Sequence, residues 1–316
     1  MWFLLANSLI EIVASSLASG LSIEASSYPK PGNVSPLGGA KGLEHWFFLS
    51  SSTSIAIELY KILQEVVETK GCLERGLGEK IYKVYSASSK PHGGGNVSLG
   101  FTMLVVPIAI GIGDLIRHND LGIISAEEVL KRSVGLARIC ENSEDSAWIS
   151  RAILEASPSY IFRYRGQGYD ILGDRNRSRS FWGFVEDFRR HDLILNEIWS
   201  GYKRVYRAYN IICSNYPYNL YEGVVIAFIT IGSQTIDTLI ARKKGYKVAM
   251  KVKKEMGKIL SLIKQGSCFW KVYAEILDKE LKASQINPGS IADIVATAAG
   301  LCVAIKTIER IESANR

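Results

Sequence analysis

Four carboxylates stand where apolar, helix-like runs begin or have just begun: Glu44, Asp145, Asp237 and Asp293. Carboxylates in such places can take a proton, deliver one, or stabilise a positive charge developing on a sugar ring. Spread along the chain with them are groups suited to a phosphorylated ligand. Lys30 and Asn33 lie in Pro29-Lys30-Pro31-Gly32-Asn33-Val34, and Asn96 and Gly100 in Asn96-Val97-Ser98-Leu99-Gly100. Glu144 precedes Asp145. Thr238, Arg242 and Lys243 follow Asp237 in a run ending at Gly245, and Asn287 opens Asn287-Pro288-Gly289-Ser290-Ile291-Ala292-Asp293. Lysine and arginine heads, amides and glycines hold phosphates and ribose, so this set implies acid–base work beside an anionic ligand.

Each motif also has a local structural reading. Two prolines fix the backbone on either side of Lys30, and Gly32 permits a type II turn. Glycines at 93–95 precede a helix and let N–H groups approach an anion, although the P-loop pattern is absent. Acids at Glu144 and Asp145 suit a first helical turn, where each is worth roughly 0.3–1 kcal/mol against the helix dipole. Basic residues and Gly245 suit a helix end, an account that leaves Asp237 and Thr238 unexplained. Ser290 and Asp293 have the spacing of an acidic capping box. His45, beside Glu44, could act as a base, although a lone histidine is more often a satisfied side chain.

The elements that must position these residues are helices. Ile55, Leu59, Ile62 and Val66 recur at helical spacing, as do Val248, Val252, Met256, Ile259 and Ile263. The stretch Lys80–Ser86 alone suggests a strand, and it fits a helix equally. The expectation is an all-α fold, one multi-helix domain over 1–316, with a pocket built by motif loops at helix ends. A long mobile loop is expected at about 159–182, overlapping an arginine- and aromatic-rich segment spanning 162–190. The apolar N-terminus is expected to form an amphipathic helix. The uncharged run from Phe101 to Gly113 is too short for a membrane span and is expected in the core. Hydrophobic residues make up 47% of 316, enough for a sizeable core, and charged residues 22%, which excludes a disordered chain. The net charge of +7 suits a polyanionic ligand, and suits nucleic acid equally. Five cysteines without CxxC spacing are expected as reduced thiols in a cytoplasmic protein.

The order and wording of these motifs resemble the triphosphoribosyl-dephospho-CoA synthase family, over roughly residues 8 to 306, in its archaeal-like branch. The resemblance implies transfer of the triphosphoribosyl group of ATP to dephospho-CoA with release of adenine, and Mg²⁺ accompanying ATP. It implies catalytic carboxylates at Glu44, Asp145, Asp237 and Asp293, with Glu144 and Asp145 as metal contacts. It implies substrate contacts at Lys30, Asn33, Asn96, Gly100, Glu144, Thr238, Arg242, Lys243 and Asn287. The chain departs from the family at Gly39-Ala40-Lys41-Gly42-Leu43-Glu44, where a histidine and an aspartate are lost. It departs again at Leu99, where a lysine is usual, and at Pro158–Phe162, where a glycine-rich turn is usual. Three alternatives stay open: a ribosyl transferase with another acceptor, a nucleotide-binding module without the chemistry, and an RNA-binding protein. The last would stack bases on Tyr164, Tyr169, Phe181 and Trp182 among arginines. No membrane partner is expected, and a homo-oligomer is left open.

Overall fold

The computed structural model describes residues 2–40, 42–69, 76–93, 96–120, 122, 124–140, 142–156 and 178–314, with side chains from Asn7 onward. Among these the regular elements are all helices, joined by turns that include two isolated β-bridges, Ser35 with Gly38 and Ala40 with Leu43. In order the helices are α1 (Trp2–Ser26), α2 (His45–Glu68), α3 (Gly76–Ser89), α4 (Leu99–Arg117) and α5 (Ala126–Ile139). There follow α6 (Asp145–Glu155), α7 (Phe181–Phe188), α8 (Leu193–Trp199), α9 (Lys203–Cys213) and α10 (Leu220–Gln234). The last four are α11 (Thr238–Lys244), α12 (Tyr246–Lys264), α13 (Trp270–Ala283) and α14 (Gly289–Ala314). The periodic residues of α2 and α12 face inward as their spacing requires, with Ile55, Leu59, Ile62, Val66, Val252, Met256 and Ile259 all buried. The Lys80–Ser86 stretch is helix.

The centre is an antiparallel pair, α1 against α14, with α4 and α2 packed on it. Glycine sets how close the pair comes. A Cβ at Gly20 would lie 2.2 Å from the carbonyl oxygen of Ala296, and one at Gly300 would lie 2.2 Å from that of Leu17. Any larger residue at either place would force the helices apart. This pairing brings the C-terminal end of α1 and the N-terminal end of α14 to the same end of the molecule.

Three helices, α1 from Asn7, α4 and α14, are long and apolar enough to cross a membrane by length and composition. Each buries most of its apolar window against other helices, and α4 does so almost entirely. The expectation of reduced thiols needs correction. Cys213 at the end of α9 and Cys302 in α14 form a disulfide, their Cα atoms 5.7 Å apart. The two lie 89 residues apart in sequence and meet only because α9 packs along α14, so spacing could not reveal the pair. Cys268 is a free, exposed thiol.

The segment expected as a mobile loop lies outside the described residues from 159 to 177. Its end does not continue as loop: Ser180 caps α7 by accepting the Gly183 N–H at 3.1 Å, and Phe181 and Trp182 are helical. Phe181 is fully buried, and Trp182 stacks on Trp199 at 5.1 Å with the Arg138 guanidinium 4.2 Å from its ring. These two aromatics are therefore committed to packing rather than open for base stacking. Tyr164 and Tyr169 lie outside the described residues.

Candidate active site

Five helix ends meet where α1 stops and α14 starts, and they bring carboxylates together. Asp237 is the N-cap of α11. Its Oδ1 accepts the Ile240 N–H at 2.9 Å and its Oδ2 accepts the Ile291 N–H of α14 at 3.0 Å. One side chain thus closes the starts of two helices. Burial lifts its carboxyl from 3.8 to about 6, against the pull of the Ile240 and Ile291 amides and of Arg242. The sequence placed Asp237 inside a helix; it stands one residue before it, because an aspartate there satisfies N–H groups that otherwise lack acceptors.

Asp293 sits in the first turns of α14 and faces the start of α4. The Phe101 N–H at the start of α4 lies close enough to oppose the rise in its pKa, and a Cβ at Gly100 would lie 2.2 Å from its Oδ2. Gly100 is therefore the residue that lets α4 meet this carboxyl. Desolvation pushes Asp293 well above the usual carboxylate range, and the negative charges of Glu24, Asp237 and Asp192 push the same way. The expected Ser290–Asp293 capping box gives way to this arrangement. Asp237 takes the Ile291 N–H from another helix, and Asp293 turns to α4.

Lys30 was expected at a phosphate, and the structure corrects this. It is fully buried, ion-paired with the equally buried Glu24 of α1, with its ammonium 5.8 Å from the Phe228 ring centre. Burial raises the Glu24 carboxyl and lowers the Lys30 ammonium, each opposed by the partner's charge. The surrounding turn forms as its residues dictate. The Asn33 N–H donates to Lys30 O at 3.1 Å, and Gly32 takes φ 76°. The Gly32 N–H donates to Asp278 of α13 at 2.8 Å, and a Cβ at Gly32 would lie 2.5 Å from the Ile286 carbonyl oxygen. So this turn packs on the turn that leads into α14, the one carrying Asn287. Both turns leave amide atoms unbonded within the protein: Asn33 Nδ2 and Asn287 Oδ1 are buried without a partner. Such an atom costs about 1–3 kcal/mol, so a bound ligand is its natural complement.

Cations and a histidine border this junction. Arg242 donates to Asp192 at 2.6 Å, and Asp192 caps α8 by accepting the Ile194 and Leu195 N–H groups. Thr238 Oγ1 accepts the Leu193 N–H at 3.0 Å, so α11 and α8 are joined twice. Lys243 is exposed at the end of α11, and Gly245 closes that helix as expected. Lys282 of α13 bonds Asp278 at 2.9 Å and reaches Ser35 Oγ at 3.4 Å. His45 meets Ser26 Oγ at 3.1 Å, and loss of water and the charge of Lys30 lower its pKa. Glu44 is exposed and precedes α2 without a capping bond. Asn96 supports α4 locally by accepting the Leu99 N–H at 3.3 Å.

Asp145 belongs to a different network. Its Oδ1 accepts the Gly78 N–H at 2.7 Å; its Oδ2 accepts those of Asn142 at 3.1 Å and Phe181 at 3.0 Å. It ties α3, α6 and α7 together, and it is buried while Glu144 beside it is exposed. As a metal pair these two do not fit, since one carboxylate is occupied by amides and the other faces solvent. Among the described residues no cluster of three or more metal-ligating side chains forms.

Sequence reasoning missed Glu24, Asp192, Asp278 and Lys282. Two of these carried a signal. Glu24 falls on the buried stripe of α1 after Leu17 and Leu21, and Asp278 on the buried stripe of α13 beside Ala274 and Leu277. An acid on an apolar stripe needs a partner from elsewhere. Asp192 before Leu193-Ile194-Leu195 reads as an N-cap, but its link to Arg242 is tertiary.

Comparison with known proteins bears on this arrangement. The family described as ATP:dephospho-CoA triphosphoribosyl transferase matches residues 10–311. No curated protein matches the chain. A solved structure from Archaeoglobus fulgidus, assigned as a triphosphoribosyl-dephospho-CoA synthase, is similar in fold, with a TM-score of 0.58 and 18% identity. The similarity covers 81% of this chain and 98% of that one.

Proposed function

The chain belongs to the ATP:dephospho-CoA triphosphoribosyl transferase family, and we propose that Asp237 and Asp293 carry its proton transfers. The reaction breaks the C1′–N9 bond of ATP and forms a bond from C1′ to a hydroxyl oxygen of dephospho-CoA. The electron pair of the broken bond goes to the adenine ring, which leaves as neutral adenine once it gains a proton. The incoming hydroxyl loses a proton, so an acid and a base must both be in place.

The observation that carries the assignment is the pair of contrasting carboxyls at the starts of α11 and α14. Asp293 has one amide nearby and faces other negative charges, so it holds a proton and can deliver it. Asp237, at about 6, is mostly ionised at neutral pH and close enough to the working pH to act as base. Negative charge at this junction also favours the oxocarbenium character that ribose acquires as adenine departs. Asn33 and Asn287 offer the unbonded donor and acceptor that a ribose or adenine would complete. Arg242, Lys243 and Lys282 border the junction as contacts for the triphosphate, in place of the buried Lys30. Mg²⁺ enters with ATP as the counter-ion of its phosphates, a mode that asks for few protein ligands. No step is assigned to Glu144 or Asp145.

Asp293→Asn and Asp237→Asn test the reading. Each is expected to slow adenine release by about 10²–10⁴-fold, the usual reach of a positioned acid or base, while ATP binding by calorimetry persists. A variant that releases adenine at the wild-type rate would remove that residue from the mechanism.

A further inference from the structure

The close approach of α1 and α14 has a chemical consequence at its open end. Leu17 lies against Gly300 and Gly20 against Ala296, so the contact steps along both helices in opposite directions. One turn beyond Gly20 on α1 is Glu24, and about one turn before Ala296 on α14 is Asp293. The glycine pair therefore brings the buried Glu24 and the partly exposed Asp293 to the same end of the helix contact, near enough for the charge of Glu24 to act on Asp293. We propose that Glu24, clamped by Lys30, is the positioning residue that keeps the catalytic proton on Asp293 until adenine leaves. This rests on Asp293 being the proton donor.

The groups around Asp293 differ in how their charge is met. From α1 comes Glu24, paired with Lys30. From the start of α8 comes Asp192, paired with Arg242 and bonded to two amides. From the start of α11 comes Asp237, bonded to the amides of Ile240 and Ile291. From α4 comes the Phe101 N–H, which opposes the rise in the Asp293 pKa. Three carboxyls thus have cations or paired amides, and Asp293 has one amide nearby. Among four neighbouring acids the least compensated one holds the proton. Glu24 stands first among the charges that raise Asp293, and burial acts with it. Burial raises the Glu24 carboxyl, and Lys30 opposes this by favouring its ionised form; an unpaired carboxylate so deeply buried would take up a proton more readily still. Lys30 thereby acts on the chemistry through Glu24, which accounts for a lysine in the turn motif that no phosphate can reach.

The test combines a titration with a rate profile. The midpoint of Asp293 is followed by NMR of ¹³C-labelled aspartate carboxyls, assigned by its absence in Asp293→Asn. It is compared in the wild type and in the double variant Glu24→Gln with Lys30→Met, which removes both charges together. The expected result is a fall of about one pH unit or more in the Asp293 midpoint, with the alkaline limb of adenine release shifting down equally. Glu24→Asp, which withdraws the charge by one methylene, is expected to give a smaller fall in the same direction, and it decides the matter if the double variant does not fold. An unmoved midpoint in a folded variant overturns the role of Glu24. The two readings fail separately. Adenine release unchanged in Asp293→Asn would remove Asp293 as donor, while the NMR midpoint would still report whether Glu24 controls its proton.

Discussion

Replacing Asp237 by asparagine has a pH signature that follows from its surroundings. The buried carboxyl titrates at about 6 instead of 3.8. The folded protein therefore binds this proton more tightly than the unfolded chain does. Stability from this group is fully present in acid below the unfolded value and is lost as pH rises through about 6. Two pH units at about 1.4 kcal/mol each give a total loss of roughly 3 kcal/mol. Of this, about 2 kcal/mol falls between roughly pH 4.5 and roughly pH 8. Asparagine does not ionise and escapes that loss. It offers one acceptor where aspartate offers two, so Ile240 or Ile291 loses a bond at about 1–3 kcal/mol, at every pH. Urea unfolding of both proteins at the two pH values isolates the effect. The variant is expected to compare with wild type about 2 kcal/mol more favourably at the alkaline end. A stability difference that stays flat across this range would refute the raised carboxyl, and with it the assignment of Asp237 as a base poised near neutrality.

Two further substitutions separate structural from chemical roles. Asp145→Ala strands the N–H groups of Gly78, Asn142 and Phe181, and a loss of about 3–5 kcal/mol in urea unfolding is expected, with adenine release surviving in the fraction that stays folded. Intact stability with lost activity would instead make Asp145 a catalytic or metal residue. Gly100→Ala puts a methyl 2.2 Å from Asp293 Oδ2, so adenine release is expected to fall at least about tenfold, with roughly 1–3 kcal/mol of stability lost from the crowding; unchanged kinetics would mean that Asp293 need not face α4.

The helices were legible because their apolar stripes were regular: α2 and α12 lie where spacing put them. The motif residues were legible as types, yet several of their jobs were not. Asp237 was singled out, but its reach to Ile291 joins positions far apart in sequence and no local pattern encodes it. Lys30 was read as a phosphate contact because prolines and glycine mark a rigid turn. The turn formed as expected, and Glu24 on the preceding helix drew the lysine inward. Asp145 read equally as a first-turn acid, and the structure adds two bonds to other helices. Charge networks such as Asp192 with Arg242 depend on which helix ends converge, which sequence spacing does not determine.

The most direct test of the account is free adenine, measured by chromatography after incubating the protein with ATP and Mg²⁺, with and without dephospho-CoA. The account predicts adenine in amounts that rise with dephospho-CoA and match the triphosphoribosylated product. Saturable ATP binding with no adenine under either condition would contradict it.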